Sequence, residues 1–378
     1  SAASDVYKRQ IVNGKLVTGM NYAAGEMGHT VLVYDGLQCN CGRKGCFEQY
    51  ASASALARMT KEAAEANPDS LLNKVKEDFG EWNAQIAFVA MKQGDKVAEK
   101  VIDSYTDYLA DGLANAINTF MPEVLVVGGG VCGDMAGFAA ATFLRGIDVI
   151  QVPTSLLAMV DASVGGKTGI DIPMGKNQVG AFWQPNLVLE DTSFLKTLPD
   201  DVFTEGMGEV TKYAFIMDEK LMDLLEKQNG NIRDDAAVLE NVIGMCVADK
   251  AEIINEDETD NGRRQILNFG HTAGHVIERD SGFTKPHGIC VAKGMGIFMD
   301  ACVKAGTLSA EDAKRMKDLL AMYKLPANDE ITAEDIVKGA MNDKKKRGNT
   351  LSVILVNKIG KAEIKKMTAE EFLKFLSV

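Results

Sequence analysis

The histidines of this chain are spaced as ligands of a catalytic metal would be. His271 and His275 stand four residues apart, so on a helix they share one face. His287 follows Pro286, and Glu209 comes from a separate segment. Two imidazoles and one carboxylate around an open position are typical of catalytic zinc. Considered without their context, histidines that are hydrogen-bonded within a core are the commoner case, so the surrounding motifs must decide.

A second metal-type cluster lies near the start of the chain. His29, Cys39, Cys41 and Cys46 follow the pattern G-H-x9-C-x-C-G-x2-G-C. Three thiolates and one imidazole suit tetrahedral zinc, and the glycines permit the tight turns of a zinc knuckle. The alternative is a set of buried free cysteines with an unrelated histidine. We expect a zinc ion here.

Glycines and cations between these clusters are compatible with a phosphate-bearing ligand. Gly129 and Gly130 follow the apolar residues 124–127 and precede Asp134. Such a turn lets backbone N–H groups approach a pyrophosphate, although a simple tight turn is the usual explanation of three glycines. Basic and amide residues that could bind carboxylate and phosphate groups are Arg145, Lys167, Lys176, Lys212, Lys250 and Arg264, with Asn177 and Asn268. Each cation alone is more often a solvated surface charge.

Composition narrows the class of protein. A net charge of −12 over 378 residues argues against nonspecific binding to nucleic acid or to an anionic membrane. No apolar run approaches the length that spans a bilayer, and no secretion signal is visible. The seven cysteines do not form a disulfide framework, which favours a reducing cytoplasm.

Hydrophobic patterning predicts an α/β region followed by an α-rich domain. Residues 11–33 alternate around Asn13-Gly14, a hairpin signal. Residues 52–67 and 82–120 have helical periodicity, whereas 124–127, 147–152, 187–190 and 351–356 resemble strands. Met121-Pro122 ends the second helical stretch. We expect a scar at 1–10, a zinc-knuckle segment at 11–121, a partial nucleotide-binding region at 122–198, and a helical metal- and substrate-binding domain at 199–378.

From about residue 122 onward the chain resembles 3-dehydroquinate synthases. The shared motifs are GGGVCGDMAGF (128–138), QVPTSLLAMVDASVGGKTGIDIPMGKNQVGAFWQP (151–185), GMGEVTKY (206–213), NGRRQILNFGHTAGHVIE (261–278) and PHGICVAKGMG (286–296). Metal-dependent polyol dehydrogenases share the glycine turn and a histidine pair. The GGKT string at 165–168 and RRQILN at 263–268 favour the synthases.

This resemblance implies a truncated Rossmann-like fold, bound NAD and a catalytic zinc or cobalt ion. By resemblance, NAD contacts fall on Gly129, Gly130, Asp134, Thr154, Ser155, Asp161 and Lys176. Glu209, His271 and His287 would be metal ligands, and His275 would transfer protons. The cations and amides named above would hold 3-deoxy-D-arabino-heptulosonate 7-phosphate, which the family converts to 3-dehydroquinate and phosphate, and the enzyme would be a homodimer. The family has glutamate where this chain has Ile289, which predicts weaker metal binding. Lys344 or Lys345, in a DKKKRG string, would reach the substrate or lie in a solvated loop.

The segment before residue 122 resembles the C-terminal part of ROK-family sugar kinases and regulators. The cysteine spacing, EMGH at 26–29 and GCFEQYAS at 45–52 carry this resemblance. It implies a structural zinc and contacts from Glu26, His29 and Glu48 to sugar hydroxyls. The phosphate-binding lobe and the catalytic Asp of those kinases have no counterpart here, so we expect no kinase activity.

The two resemblances meet at PEVLVVGGGV, residues 122–131. We interpret the chain as a recombinant or misassembled hybrid, in which the first quarter of the synthase is replaced. That predicts impaired NAD binding and impaired synthase activity. The alternatives are a zinc-bearing sugar-binding module and a hybrid with no working site.

Overall fold

The computed structural model describes residues 11–12, 15–16, 27–120, 124–128, 130–172, 175–344 and 350–377. The chain forms two compact units, Ser1–Pro122 and Glu123–Val378. None of the helices in these ranges combines the length and apolar character that crossing a membrane requires.

The first unit contains a short hairpin and a group of helices. Strands β1 (Ile11–Val12) and β2 (Lys15–Leu16) pair antiparallel, which confirms the hairpin, although Asn13 and Gly14 lie outside the described residues. Its helices are α1 (Glu48–Ala51), α2 (Ala53–Ala66), α3 (Leu71–Phe79), α4 (Gln85–Lys92) and α5 (Lys96–Phe120). The apolar–polar alternation predicted for residues 11–33 does not form a strand over residues 27–33. A 3-10 helix, Met27–His29, and bends lie there, before the cysteine-rich turn.

Capping residues set the helix boundaries in this unit. Helix α2 confirms the prediction for 52–67, and Ser52 Oγ accepts the N–H of Ala55 at 3.1 Å. The predicted stretch 82–120 is two helices, because Gly94 has φ 90° and Asp95 Oδ1 accepts the N–H of Ala98 at 2.8 Å. The chain therefore stops and is capped again before α5.

The second unit begins with a parallel sheet. Its strands are β3 (Val124–Gly128), β4 (Asp148–Val152) and β7 (Leu187–Val188), in the order β3-β4-β7. Helix α6 (Gly130–Thr142) connects β3 to β4. Since Gly128 pairs with Val152, both strands end together. The start of α6 and the segment after β4 therefore lie at one edge of the sheet, where doubly wound folds bind their ligands.

Two features of this region were not predicted. Strands β5 (Lys167–Ile172) and β6 (Gly175–Phe182) form an antiparallel hairpin, and Ala158–Ala162 is a π-helix. Glycines and polar residues hide the apolar alternation of the hairpin. Helix α6 also begins at Gly130, earlier than the expected start near Asp134.

The rest of the unit is mainly helical around one hydrophobic core. Its elements are α7 (Asp200–Ile216), α8 (Glu219–Gln228), α9 (Ala236–Glu256), α10 (His271–Asp280), α11 (His287–Lys304), α12 (Ala310–Met322), α13 (Ala333–Lys344), β8 (Thr350–Lys358), β9 (Lys361–Thr368) and α14 (Ala369–Ser377). Strands β8 and β9 pair antiparallel, and their inner face joins Val210, Phe298 and Phe372 in the core. An α/β region followed by an α-rich part is the predicted fold class, and it is confirmed.

Candidate active site and candidate metal centres

The three predicted histidines of the second unit meet at the start of two helices. His271 begins α10, His275 lies one turn later, and His287 begins α11. One nitrogen from each ring lies within 4.8 Å of the other two. The imidazoles therefore form a cluster of the size that one metal ion spans.

Glu209 reaches this cluster from the middle of α7. Its Oε1 lies 3.5 Å from Nε2 of His271 and 3.5 Å from Nε2 of His287. A close approach of α7 to α11 makes this possible: a Cβ on Gly208 would lie 2.5 Å from the carbonyl oxygen of Gly288. Only glycine at 208 permits this spacing between the helices.

The charge states favour a carboxylate beside neutral imidazoles. Burial raises the pKa of Glu209, but Lys212 and the neighbouring histidines outweigh it and hold the pKa well below 4.5. Burial lowers the pKa of His271 to about 3, despite the attraction of Glu209. Because His271 is then neutral, Lys212 is the cation that keeps Glu209 ionised. The Nδ1 of His271 lies 3.2 Å from the carbonyl oxygen of Phe269, which places the proton on Nδ1 and the Nε2 lone pair toward Glu209.

A buried chain of charges continues from Glu209 to α9. Lys250 Nζ lies 2.6 Å from Asp161 Oδ1 and donates to the backbone oxygen of the same residue at 2.6 Å. Tyr213 donates its hydroxyl to Val160 O at 3.1 Å and lies 3.3 Å from Asp161 Oδ1. Burial raises the pKa of Asp161, and Lys250 and Lys212 lower it further than burial raises it. Burial lowers the pKa of Lys250.

Arg264 is held by backbone oxygens under the β5–β6 hairpin. It is 2% exposed, its Nη2 donates to Gly165 O at 2.9 Å, and its Nη1 donates to Glu258 O. Gly165 has φ 101°, and a Cβ there would lie 2.5 Å from Arg264 Nη2. Lys167 Nζ lies 2.5 Å from Asp260 Oδ2. Both cations are therefore tied to the segment that precedes α10.

The other predicted residues lie on the sheet region or at element ends. Asp134 is in α6, and Thr154 and Ser155 follow β4, where Ser155 Oγ accepts the N–H of Ala158 at 3.3 Å. Arg145 is exposed at the end of the 3-10 helix Phe143–Arg145, and Asn268 is exposed at the end of the 3-10 helix Arg263–Asn268. The backbone places Gly130 at the start of α6 and Lys176 and Asn177 on β6. Gly129 and Glu26 lie outside the described residues.

The four zinc-type residues of the first unit also meet. All four donor atoms of His29, Cys39, Cys41 and Cys46 lie within 4.8 Å of one another. Cys41 Sγ and Cys46 Sγ are 3.5 Å apart, which is too long for a disulfide. Glu48 Oε1 accepts from Cys39 Sγ at 3.2 Å and lies 3.6 Å from His29 Nδ1. Gly42 and Gly45, with φ 89° and 76°, form the turns that close the knuckle.

Three residues of the site escaped the sequence analysis: Glu205 and Glu278, which contact His287, and Tyr213, which lies beside Asp161. Glu278 lies seven residues after His271 and three after His275, so helical spacing could have placed it on their face. Glu205, one turn before Glu209 on α7, carries a similar signal. Tyr213 has no such signal, because its partner is a distant backbone oxygen.

Fold and site together define an α/β protein with a Rossmann-type sheet and a helical part that carries a metal-type cluster. The 3-dehydroquinate synthase N-terminal family model matches residues 89–205, and the C-terminal model matches 206–346. The 3-dehydroquinate synthase of Clostridium acetobutylicum is 37% identical over 359 residues, covering 94% of this chain and 98% of that protein. The chain belongs to the 3-dehydroquinate synthase family. The ROK family model also matches, over residues 10–143.

Solved structures agree with this assignment. The 2-epi-5-epi-valiolone synthase of Streptomyces hygroscopicus subsp. jinggangensis, solved with NAD+ and Zn2+ bound, has a TM-score of 0.64 at 26% identity. The alignment covers 70% of this chain and 77% of that one. A 2-deoxy-scyllo-inosose synthase complexed with carbaglucose-6-phosphate, NAD+ and Co2+ has a TM-score of 0.61 at 25% identity, covering 70% and 77%. The fold is therefore that of these cyclising synthases.

Proposed function

We propose that the second unit carries a 3-dehydroquinate synthase site, which converts 3-deoxy-D-arabino-heptulosonate 7-phosphate to 3-dehydroquinate and phosphate. The observation that carries this proposal is the convergence of Glu209, His271 and His287, from three helices, beside a buried chain of cations. Similarity to the synthase of Clostridium acetobutylicum supports the same reaction.

The donor set fits a divalent metal. Oε2 of the buried Glu209 pairs with Lys212 Nζ, and Oε1 faces the Nε2 atoms of His271 and His287. One oxygen and two nitrogens suit zinc or cobalt, and these are the ions bound in the two similar synthases. We therefore propose Glu209, His271 and His287 as the residues that would hold the ion.

We also propose that NAD binds at the carboxyl edge of the β3-β4-β7 sheet. The residues there fit a pyrophosphate, since β3 ends at Gly128 and the first turn of α6 begins at Gly130. A Cβ on Gly133 would lie 2.6 Å from Gln151 Oε1, so glycine lets α6 start close to β4. When bound, the metal would polarise a substrate oxygen and NAD would exchange a hydride with the substrate.

The protein's own residues bind the substrate and handle its protons. We assign phosphate and carboxylate binding to the cations of the site: Arg145, Lys167, Lys176, Lys212, Lys250 and Arg264, with Asn177 and Asn268. The pairing of Lys250 with Asp161, and of Lys212 with Glu209, holds both ammonium groups in place before substrate arrives. His275, one turn from His271 on the same helix face, is the proton-transfer residue of this proposal.

The test is a coupled assay on the purified chain. Phosphate release from the heptulosonate phosphate, with no net change in NADH absorbance, is the expected result. Net NADH production from a polyol would instead identify a dehydrogenase. If neither phosphate nor NADH is formed, the chain has no working site.

We propose a separate, structural role for the first unit, with zinc held by His29, Cys39, Cys41 and Cys46. A second candidate function, a zinc-bearing sugar-binding module, is favoured by one observation: Glu48 Oε1 lies 3.6 Å from His29 Nδ1 beside the knuckle. Calorimetric titration with glucose or N-acetylmannosamine tests it.

A further inference from the structure

Two carboxylates contact His287: the buried Glu278 contacts its imidazole, and the part-buried Glu205 contacts its backbone. Glu278, in the last turns of α10, places Oε2 3.4 Å from Nδ1 of the imidazole. Glu205, on α7, accepts the backbone N–H of His287 through Oε1 at 3.1 Å. The side chain of Glu278 is only 9% exposed, so water screens this contact weakly.

Both contacts follow from the helices. His271, His275 and Glu278 occupy positions i, i+4 and i+7, hence one face of α10, and α10 packs against α11. Pro286, which precedes α11, provides no side-chain cap. The first N–H groups of a helix need acceptors, and Glu205 supplies one from α7.

The imidazole of His287 consequently bridges two carboxylates. Its Nδ1 faces Glu278, and its Nε2 lies 3.5 Å from Glu209 Oε1. With the proton on Nδ1, the Nε2 lone pair points to the same space as Glu209. His271 has the same arrangement, with the carbonyl oxygen of Phe269 in place of a carboxylate. Carboxylates in this position orient metal-bound histidines and raise their basicity.

We propose that Glu278 is the positioning residue of the metal centre and acts through His287; this rests on the metal site of the proposed function. Ile289, where the synthase motif predicts a glutamate, packs against the hydrophobic core and offers no acceptor. Glu278 therefore provides the carboxylate that this chain needs for His287. Because Glu278 is part of α10 itself, the helix that presents His271 and His275 also orients the third histidine.

Two substitutions separate hydrogen bonding from charge. Glu278→Gln keeps the reach of the side chain and an acceptor oxygen but loses the charge. Glu278→Asp keeps the charge but withdraws the oxygens by one methylene. Glu278→Ala removes both, and Glu190→Gln, at a part-buried carboxylate after β7, is the matched control. Each full-length variant is stripped with a chelator, and its affinity for Zn2+ and Co2+ is measured by chelator competition, together with the visible spectrum of the Co2+ form.

Glu278→Ala and Glu278→Asp should bind metal at this site about 10- to 100-fold more weakly, with a shifted Co2+ spectrum, whereas Glu278→Gln should lose less than about tenfold. Metal bound by the zinc knuckle of the first unit is the same in every variant, so differences in affinity report on the histidine site. Wild-type affinity and spectrum in Glu278→Ala or Glu278→Asp would overturn the proposal, as would Glu278→Asp binding more tightly than Glu278→Gln. If Glu278→Ala does not fold, the Asp and Gln pair decides. Glu209→Gln separates this proposal from the proposed function on which it rests. Unchanged metal binding in Glu209→Gln would refute the metal centre itself.

Discussion

Lys212 Nζ lies 2.5 Å from Glu209 Oε2, one turn away on α7, and the two side chains are 1% and 0% exposed. Burial lowers the pKa of Lys212, but Glu209 and Asp161 outweigh it and raise the pKa above 10.5. The pair is therefore ionised inside the protein. The other carboxylate oxygen of Glu209, Oε1, faces His271 and His287. The ion pair and the proposed metal site therefore share one carboxylate.

Breaking this pair should make folding depend on metal. Removing one partner of a buried ion pair costs about 3–5 kcal/mol, so Lys212→Met should strongly destabilise the metal-free protein. A dication beside Glu209 would replace the lost positive charge. We therefore expect Zn2+ to raise the Tm of Lys212→Met more than that of the wild type. Differential scanning calorimetry with and without Zn2+ measures this, with the exposed Lys227→Met as control; equal Zn2+ shifts would contradict it.

His275→Ala should keep the metal and lose turnover. A proton-transfer residue contributes roughly 100- to 10,000-fold, so phosphate release should fall by that factor while metal content stays at the wild-type level. His271→Ala should instead lose the ion. If His275→Ala lost metal and His271→Ala kept it, the roles of ligand and base would be exchanged.

Cys41→Ser should release about one zinc equivalent from the first unit and destabilise that unit, because structural zinc contributes directly to folding. Metal analysis and thermal unfolding measure the two effects. Glu209→Gln should lose the other equivalent and leave the knuckle loaded. Unchanged metal content in Cys41→Ser would show that no zinc knuckle is present.

Asp249 should make stability fall as pH rises. Burial, with Asp218 and Glu252 nearby, raises its pKa to about 7. Between its unfolded pKa near 4 and the folded value, the native state holds more protons than the unfolded chain. The stability contributed by the protonated form is therefore complete below pH 4 and is lost as pH passes 7. Asp249→Asn should raise the Tm at pH 8, with a smaller gain at pH 5. After discounting for partial exposure, a gain of about 1 kcal/mol corresponds to about 2–4 °C. A pH-independent difference in Tm would contradict this assignment.

NAD should bind weakly. In the described residues the sheet consists of β3, β4 and β7, with β3 at one edge, while the synthase resemblance implies further strands that hold the adenosine. Losing ~3–4 kcal/mol of adenosine contacts would weaken affinity by a few hundred-fold. Calorimetric titration measures this. A dissociation constant in the low micromolar range would show that the hybrid rebuilds the pocket, and we would then expect full catalysis.

Local sequence determined much of this protein. The spacing of His271 and His275 placed both on one helix face, the cysteine pattern brought His29 and Cys46 together, and helical periodicity predicted α2. These relationships lie within a few residues or within one turn-rich segment, so periodicity and turn chemistry are enough to predict them.

Only the tertiary structure decided which distant residues meet. Glu209 faces His287 because glycine at 208 lets α7 approach α11. Lys250 reaches Asp161 because α9 packs beside the π-helix at Ala158–Ala162, which the sequence patterns did not predict. Glu278 lies beside His287 because α10 packs against α11. Such pairings depend on the packing of helices far apart in sequence, and local propensity does not encode that packing. Lys212 keeps the buried Glu209 ionised, whereas burial keeps His271 neutral, and both effects follow from the environment that the fold creates.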